Sequence, residues 1–337
     1  MPLICYAAQK FSAGSMAIID QANVILSTYE EQGFDLTLRQ LYYQFVARAI
    51  IANKDTEYKR LGSIINDARL AGLIDWNHIT DRTRNMRQNG HWSSPRDIIR
   101  SCANAFELDK WAAQDNYVEV WVEKDALVGV LQKACAPLDV PYFSCRGYTS
   151  QSEMWAAAMR LRSKLEAGKK CHIIHLGDHD PSGIDMSRDI EDRLTMFMRH
   201  HIMQRCVKAI GPAKEGETKE SWSDRVYEEV WNGGEYQQPV TIHRIALNMD
   251  QIEEYDPPPN PAKLTDARAK SYIEKFGDKS WELDALEPSV ITQLITDTVV
   301  ELRDQKTWEK ISGEEDKHRE QLSACAEKWE KVCKAVS

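Results

Sequence analysis

The sequence predicts an α/β protein. A helical N-terminal domain, residues 1–105, precedes a domain built on a mostly parallel sheet, residues 106–312, with a charged helix over 313–337. Three observations carry this expectation. From residue 116 onward, short apolar β-prone runs alternate with helix-period segments, the order that a parallel sheet with crossover helices requires. Before residue 105 the apolar spacing is almost entirely helical. Two of the β-prone runs, Val118-Glu-Val-Trp-Val-Glu123 and His172-Ile-Ile-His-Leu-Gly-Asp178-His-Asp180, end abruptly in carboxylates.

Each element has its own signal. A helix is expected over 15–29, with Ile18, Ile19, Ala22, Ile25 and Leu26 on one face. Thr37-Leu-Arg-Gln40 is a capping-box pattern that opens a second helix. Leu38, Leu41, Tyr42, Phe45, Val46, Ala49 and Ile50 give that helix its apolar face. A third helix, 57–70, carries Leu61, Ile64, Ile65 and Ala68, and residues 73–84 read as a short strand opening into a basic turn. Three helices followed by a β-wing is the winged-helix arrangement, a common DNA-binding unit. Ser94 and Pro95 then start a bridging helix, as N-cap and first helical residue. Strands are expected over 117–123, 141–145, 171–177 and 241–247, and helices over 126–134, 151–165, 184–203, 267–276 and 288–302. The polar stretch 212–238 reads as an insertion, Asp256-Pro-Pro-Pro-Asn-Pro as a stiff loop, and 314–334 as an exposed or partner-facing charged helix.

Composition narrows the class. A chain of 337 residues suffices for two domains, and 42% apolar residues with ten tryptophans fit a globular protein. No apolar run approaches the length of a membrane span, and the first residues lack the basic and apolar regions of a secretory signal. The eight cysteines contain no C-x-x-C pair and read as reduced, mostly buried thiols of a cytoplasmic protein. The net charge of −9 is uneven: residues 1–110 hold 13 Lys and Arg against 12 Asp and Glu, so the acidic excess lies beyond them. Arg82, Arg84, Arg87, Arg96 and Arg100 cluster against only Asp81 and Asp97. Such a stripe can neutralise phosphates on a globally acidic protein, and a solvated loop is the alternative.

If 117–123 and 171–177 are neighbouring parallel strands, Glu123, Asp178 and Asp180 meet at the carboxyl edge of one sheet. Open α/β sheets place their sites there. Three carboxylates in one place repel one another unless a divalent cation neutralises them, and hard oxygen donors select Mg²⁺. The chain therefore reads first as a Mg²⁺-dependent phosphoryl-transfer protein. His175 and His179 straddle a strand end and a glycine, so helical i, i+4 zinc geometry does not apply; His179 is expected to be exposed.

These segments together resemble the A subunit of topoisomerase VI and the related meiotic double-strand-break transesterases. Val122-Glu-Lys-Asp125 after an apolar strand resembles the first Toprim motif, and Gly177-Asp-His-Asp-Pro-Ser-Gly183 the second. Cys145-Arg-Gly-Tyr148 stands where the family has a Lys-Gly-Tyr element, and Thr37-Leu-Arg39-Gln-Leu-Tyr42-Tyr43 is similar to its winged-helix tyrosine motif. The segment 242–250 and Glu282-Leu-Asp-Ala-Leu286 resemble late family segments. The match covers most of the chain in order and is nearest the shortened, stand-alone A-like proteins of mobile elements. The insertion at 212–238 departs from it.

The resemblance implies tyrosine transesterification on double-stranded DNA, leaving a 5′-phosphotyrosyl bond. It assigns the nucleophile to Tyr43 and one or two Mg²⁺ ions to Glu123, Asp178 and Asp180. It also implies a homodimer in which the tyrosine of one protomer works with the metal site of the other, and any gating ATPase would be a separate subunit. The helix geometry separates the tyrosines independently: Tyr42 points into the apolar face, whereas Tyr43 lies off it, accessible and one turn beyond Arg39. Arg39 beside it would favour phenolate and could hold the attacked phosphate. Arg82, Arg84 and Arg87 would grip the DNA backbone from the wing. Arg146 is either a further phosphate contact or an ordinary surface arginine, and Asp125 and Asp185 are at most neighbours of the ligands. Two other readings remain open: a Toprim nuclease using metal-activated water without a covalent link, and a non-catalytic DNA-binding protein.

Overall fold

The computed structural model of the chain describes residues 3–79, 89–232 and 239–336. Its first part is the expected set of helices, α1 (Ala13–Glu31), α2 (Leu38–Ala47) and α3 (Asp55–Leu70). The capping box of α2 forms as read: the Thr37 side chain accepts the amide of Gln40, whose own side chain returns to the Thr37 amide. The apolar faces of the helices meet in one core, with Ile19, Ile25, Leu26, Leu41, Phe45, Leu61 and Ile65 essentially inaccessible. That core also takes in Ala285, from far along the chain.

Of the short strand and basic turn expected over 73–84, the described part, 73–79, forms no strand. The Asp75 side chain accepts the amide of Asn77 and starts a 3-10 turn, Trp76–His78, so local side-chain bonding outcompetes extended pairing. Only Ile79 bridges, in parallel, to Leu36. The basic turn with Arg82, Arg84 and Arg87 lies outside the described residues.

After α4 (Pro95–Ala105), capped by Ser94 as expected, the chain builds a four-stranded, fully parallel sheet. In chain order its elements are β1 (Asn116–Val122), α5 (Val128–Cys135), β2 (Tyr142–Ser144), α6 (Gln151–Glu166), β3 (Lys170–Leu176), α7 (Pro181–Ile210), α8 (Lys219–Asn232) and β4 (Val240–Ala246). The strand order is β2-β1-β3-β4. From β1 the chain crosses to β2 on one side, then passes back over β1 to β3 on the other. Alternate residues of each strand face opposite cores: Val118, Val120, Val122, Ile174 and Leu176 pack with α5, and Tyr117, Trp121, Cys171 and Ile173 with α6 and α7. Burial on both faces explains why these strands read as continuous apolar runs. Each fully buried aliphatic side chain contributes about 1.5–3 kcal/mol.

The remaining elements are α9 (Met249–Tyr255), a two-stranded antiparallel pair β5 (Asn260–Pro261) and β6 (Lys279–Ser280) flanking α10 (Ala269–Phe276), then α11 (Pro288–Glu301), α12 (Gln305–Glu327) and α13 (Trp329–Val336). The polar stretch 212–238 carries a regular helix, α8, with Arg225 forking onto Glu217 ahead of it. One expectation is corrected here. The charged tail is two helices, and α12 packs along α4. Glu315 is buried there, accepting the Leu108 amide at 2.9 Å and pairing with Lys110, so charge pattern alone mistook an anchored helix for a solvated one. The thiols are also mixed: Cys135, Cys145 and Cys171 are buried, while Cys5, Cys102 and Cys325 are exposed, none in a disulfide. No helix among the described residues is long and apolar enough to cross a membrane.

Candidate active site at the carboxyl edge of the sheet

The register of β1 against β3 pairs Val122 with Leu176, so the residues that follow, Glu123 and Gly177, leave the sheet side by side. This edge is where the strand order reverses, the place where open α/β sheets form their crevice. The Glu123 amide donates to the Leu176 carbonyl, and Glu123 Oε2 accepts the Asp178 amide at 2.9 Å. A Cβ on Gly177 would lie 3.1 Å from Glu123 Oε2 and 3.2 Å from the Arg244 guanidinium, so a side chain there would press into the site.

The D-x-D-P-S-G run folds by local rules. Asp180 is the N-cap of α7: its Oδ1 accepts the Gly183 amide at 2.6 Å and the Ser182 hydroxyl at 2.8 Å, with Pro181 as the first helical residue. Gly183 is required by close approach, since a Cβ would stand 2.2 Å from the Asp178 carbonyl oxygen. Asp178 turns inward; Oδ1 accepts the Leu283 amide at 2.8 Å and Oδ2 pairs with Lys124 Nζ at 3.0 Å. Glu123, Asp178 and Asp180 are all buried.

A second acid pair faces them. Lys124 Nζ also reaches Glu282 Oε2 at 2.5 Å and Asp284 Oδ1 at 2.9 Å, and Arg39, from α2, reaches the same two acids at 2.5 and 3.3 Å. The Tyr43 hydroxyl lies 3.5 Å from Arg39. Thus Tyr43, Arg39, Glu282 and Asp284, Lys124 and Asp178 form one continuous run of contacts across the two parts of the chain. Burial disfavours charge on Glu123 and Asp178 and raises both above the ordinary carboxylate range, and neighbouring acids add to this. Glu282 behaves oppositely: despite its burial, Lys124 and Arg39 bring it down to about 2. Lys124 would lose affinity for its proton by burial alone, but Asp284, Asp178 and Glu282 reverse that and keep it an ammonium.

Arg244, on β4, has no counterpart among the residues singled out from sequence. Its guanidinium donates to the carbonyls of Gly183 at 2.9 Å, Asp178 at 2.7 Å, Gly177 at 3.2 Å and Leu247 at 3.2 Å, and to the Ser187 hydroxyl at 3.2 Å. It ties both ends of the acidic loop to the end of β4 and sets a fixed charge behind the carboxylates. The available signal was an arginine inside an otherwise strand-like apolar run, which must find partners when buried. Lys124, Glu282 and Asp284 lay within quoted motifs but had no assigned role.

Two expectations about individual side chains, Tyr43 and His179, need correction. Tyr43 is not accessible: it is 4% exposed, as buried as Tyr42 at 5%. The helix face it occupies is polar within α2 but is covered by the turn Leu283–Ala285. Burial, together with Asp284 and Glu282, pushes its phenol above the ordinary range against the opposing pull of Arg39. Tyr42 is core, as expected, with its hydroxyl on Asn53 Oδ1 and the Lys54 carbonyl. His179 is 1% exposed rather than solvated; its Nδ1 meets the Tyr272 hydroxyl at 2.7 Å, and Phe276 and Trp281 pack edge-on against the ring. Arg146 is exposed and pairs with Asp125 at 3.2 Å. Asp185 is engaged by Arg188 and Arg268, away from the carboxylate edge.

Among the described residues, no group of three or more His, Cys, Asp or Glu side chains is gathered so that it could hold a metal ion. The reason is visible in the bonds above: Lys124 and the Leu283 amide draw Asp178 one way while the α7 cap holds Asp180 another. The donors themselves suit Mg²⁺. Five buried or half-buried carboxylates, Glu123, Asp178, Asp180, Glu282 and Asp284, face the three cations Lys124, Arg39 and Arg244, and a divalent ion would favour the charged form of Glu123 and Asp178 that burial disfavours. Compared with known proteins, the chain matches no family model and no curated sequence.

Proposed function

We propose that the chain is a Mg²⁺-dependent DNA-cleaving transesterase of the topoisomerase VI A-subunit type, a winged-helix domain carrying Tyr43 followed by a Toprim domain carrying Glu123, Asp178 and Asp180. The observation that supports this reading is the run of contacts from the Tyr43 hydroxyl through Arg39, Glu282, Asp284 and Lys124 to Asp178, which joins a tyrosine and a carboxylate edge far apart in sequence.

In this mechanism Arg39 binds a backbone phosphate through its guanidinium fork and orients it against Tyr43. Tyr43 Oη bonds to phosphorus as the bond to the 3′-oxygen breaks. The phenolic proton is released and the 3′-oxygen leaves as a hydroxyl, so the phosphodiester energy is kept in a 5′-phosphotyrosyl link that can be resealed. Glu123, Asp178 and Asp180 would hold Mg²⁺, which supplies charge neutralisation at the phosphate and the leaving oxygen. Arg244 holds the acidic loop in place. Arg82, Arg84, Arg87 and Arg146 would contact the DNA backbone without reading sequence. The same reading gives a homodimer working in the cytoplasm, with a separate ATPase subunit where strands are passed.

The test mixes purified protein, Mg²⁺ and end-labelled duplex, then denatures with SDS. A covalent protein–DNA adduct is expected from wild type and from Tyr42→Phe, and none from Tyr43→Phe or Asp178→Ala. One observation favours a second reading: Tyr43 is buried and its phenol holds its proton tightly. A Toprim nuclease using activated water would make metal-dependent cuts without an adduct, and those cuts would survive Tyr43→Phe.

A further inference from the structure

We propose that Glu282 is an internal stand-in for a DNA phosphate: it occupies Arg39 in the resting chain, and a backbone phosphate must displace it before Tyr43 can react. This rests on the transesterase reading above and adds a gate to it.

The geometry is that of an anion site already filled. Glu282 Oε2 lies 2.5 Å from Arg39 and 2.5 Å from Lys124 Nζ, two cations on a single carboxylate oxygen. The same Arg39 nitrogen lies 3.5 Å from the Tyr43 hydroxyl. The oxygen of Glu282 is therefore one guanidinium nitrogen away from the nucleophile, where a phosphoryl oxygen would have to lie for Tyr43 to attack its phosphorus. Arg39 Nη2 is on Glu282 and its Nε on Asp284, so a phosphate oxygen and the Glu282 oxygen compete for the one Nη2 donor.

There is room for the exchange. A cavity of about 190 Å³ lies against the pair, lined by Arg39, Tyr42, Tyr43, Asn53, Tyr58 and Glu282, with Asp55 as the one further acid on its wall. The Arg39 side chain is 47% exposed and Glu282 24%, so an ion from solution can reach both without unfolding either part. Lys124 loses little when Glu282 leaves, because Asp178 and Asp284 remain on it. The contact also joins the two parts of the chain, alongside the Asn53 amide on Asn260 at 2.6 Å. Displacing Glu282 opens the anion place beside Tyr43 while Arg39 stays held to Asp284 at 3.3 Å.

The experiment measures equilibrium binding of a labelled random-sequence duplex without divalent ions, so that no cleavage intervenes. Glu282→Gln is expected to bind roughly fivefold tighter than wild type, since a like charge is removed from beside the bound phosphate. Arg39→Gln should bind more weakly, and Glu282→Gln should give no gain once Arg39→Gln is present. Melting curves establish that each variant is folded; should Glu282→Gln not fold, Glu282→Asp, which keeps the charge but shortens its reach, is expected to bind more tightly than wild type. Equal or weaker binding by a folded Glu282 variant overturns the proposal. If wild type still forms the SDS-resistant adduct in that case, the transesterase reading stands alone; if no variant binds duplex, both fall.

Discussion

Glu123 Oε2 accepts the backbone amide of Asp178 at 2.9 Å, so the acid that ends one strand fixes the acid that follows the next. Glu123→Gln keeps an oxygen able to accept that amide and should leave stability within about 1 kcal/mol of wild type, whereas Glu123→Ala strands a buried donor and should cost roughly 1–3 kcal/mol. Denaturant titration reads both. Both variants should lose the adduct, because neither retains the carboxylate.

Gly183 leaves no space for a methyl group, with the Asp178 carbonyl oxygen 2.2 Å from where its Cβ would stand. Gly183→Ala should therefore lower stability by about 1–3 kcal/mol, the range for overpacking at a tight site. Ser182→Ala, one residue away, loses a single hydroxyl bond to Asp180 and should cost less than half as much. A melting comparison of the two checks this.

Arg244 serves four backbone carbonyls from a half-buried position. Replacing it with Met removes the charge and leaves those carbonyls without it, at a cost of roughly 2–5 kcal/mol. Arg244→Lys keeps the charge but not the fork, and should recover stability only in part. Equal stability of wild type and Arg244→Met in denaturant would contradict this account.

Acid should destabilise the fold before the ordinary carboxylates titrate. Burial first of all lowers His172 and His179 to about 4 and His175 to about 3. Unfolded histidines bind protons near their ordinary value of about 6.5, so below that pH the unfolded state binds more protons and stability falls. The histidine contribution should be lost as pH drops through about 6.5 and on to about 4, while the proton that burial lets Asp178 hold up to about 8 works in the opposite direction between about 8 and 4. The melting temperature recorded against pH measures this window.

The proposed dimer makes a separate prediction. Co-expressed Tyr43→Phe and Asp178→Ala chains with different tags should yield adduct on the Asp178→Ala chain, because its intact tyrosine would meet the intact carboxylates of its partner. Absence of adduct in the purified mixed dimer would mean that each chain uses its own carboxylates.

Much of the fold was legible because its signals are local. The Thr37–Gln40 capping box, the Ser94–Pro95 helix start and the runs that became β1, β3 and β4 fell within a few residues of their observed places. Residues 73–79 form no strand because Asp75 makes a turn of its own, and the rest of the expected wing lies outside the described residues. The α12 helix was misjudged because Glu315 is charged in sequence but satisfied by Leu108 and Lys110, some two hundred residues earlier.

The candidate site divides along the same line. Sequence alone determined the α/β class and the strand ends that carry Glu123, Asp178 and Asp180. Those features depend on spacing along the chain. Tertiary structure decided that Tyr43 and His179 are buried, that Lys124 joins Asp178 to Glu282 and Asp284, and that Arg244 holds the acidic loop. A helical face is buried or open according to what packs on it, and a charge is stable or strained according to which opposite charges reach it. Both are set by residues distant in sequence, which no local pattern encodes.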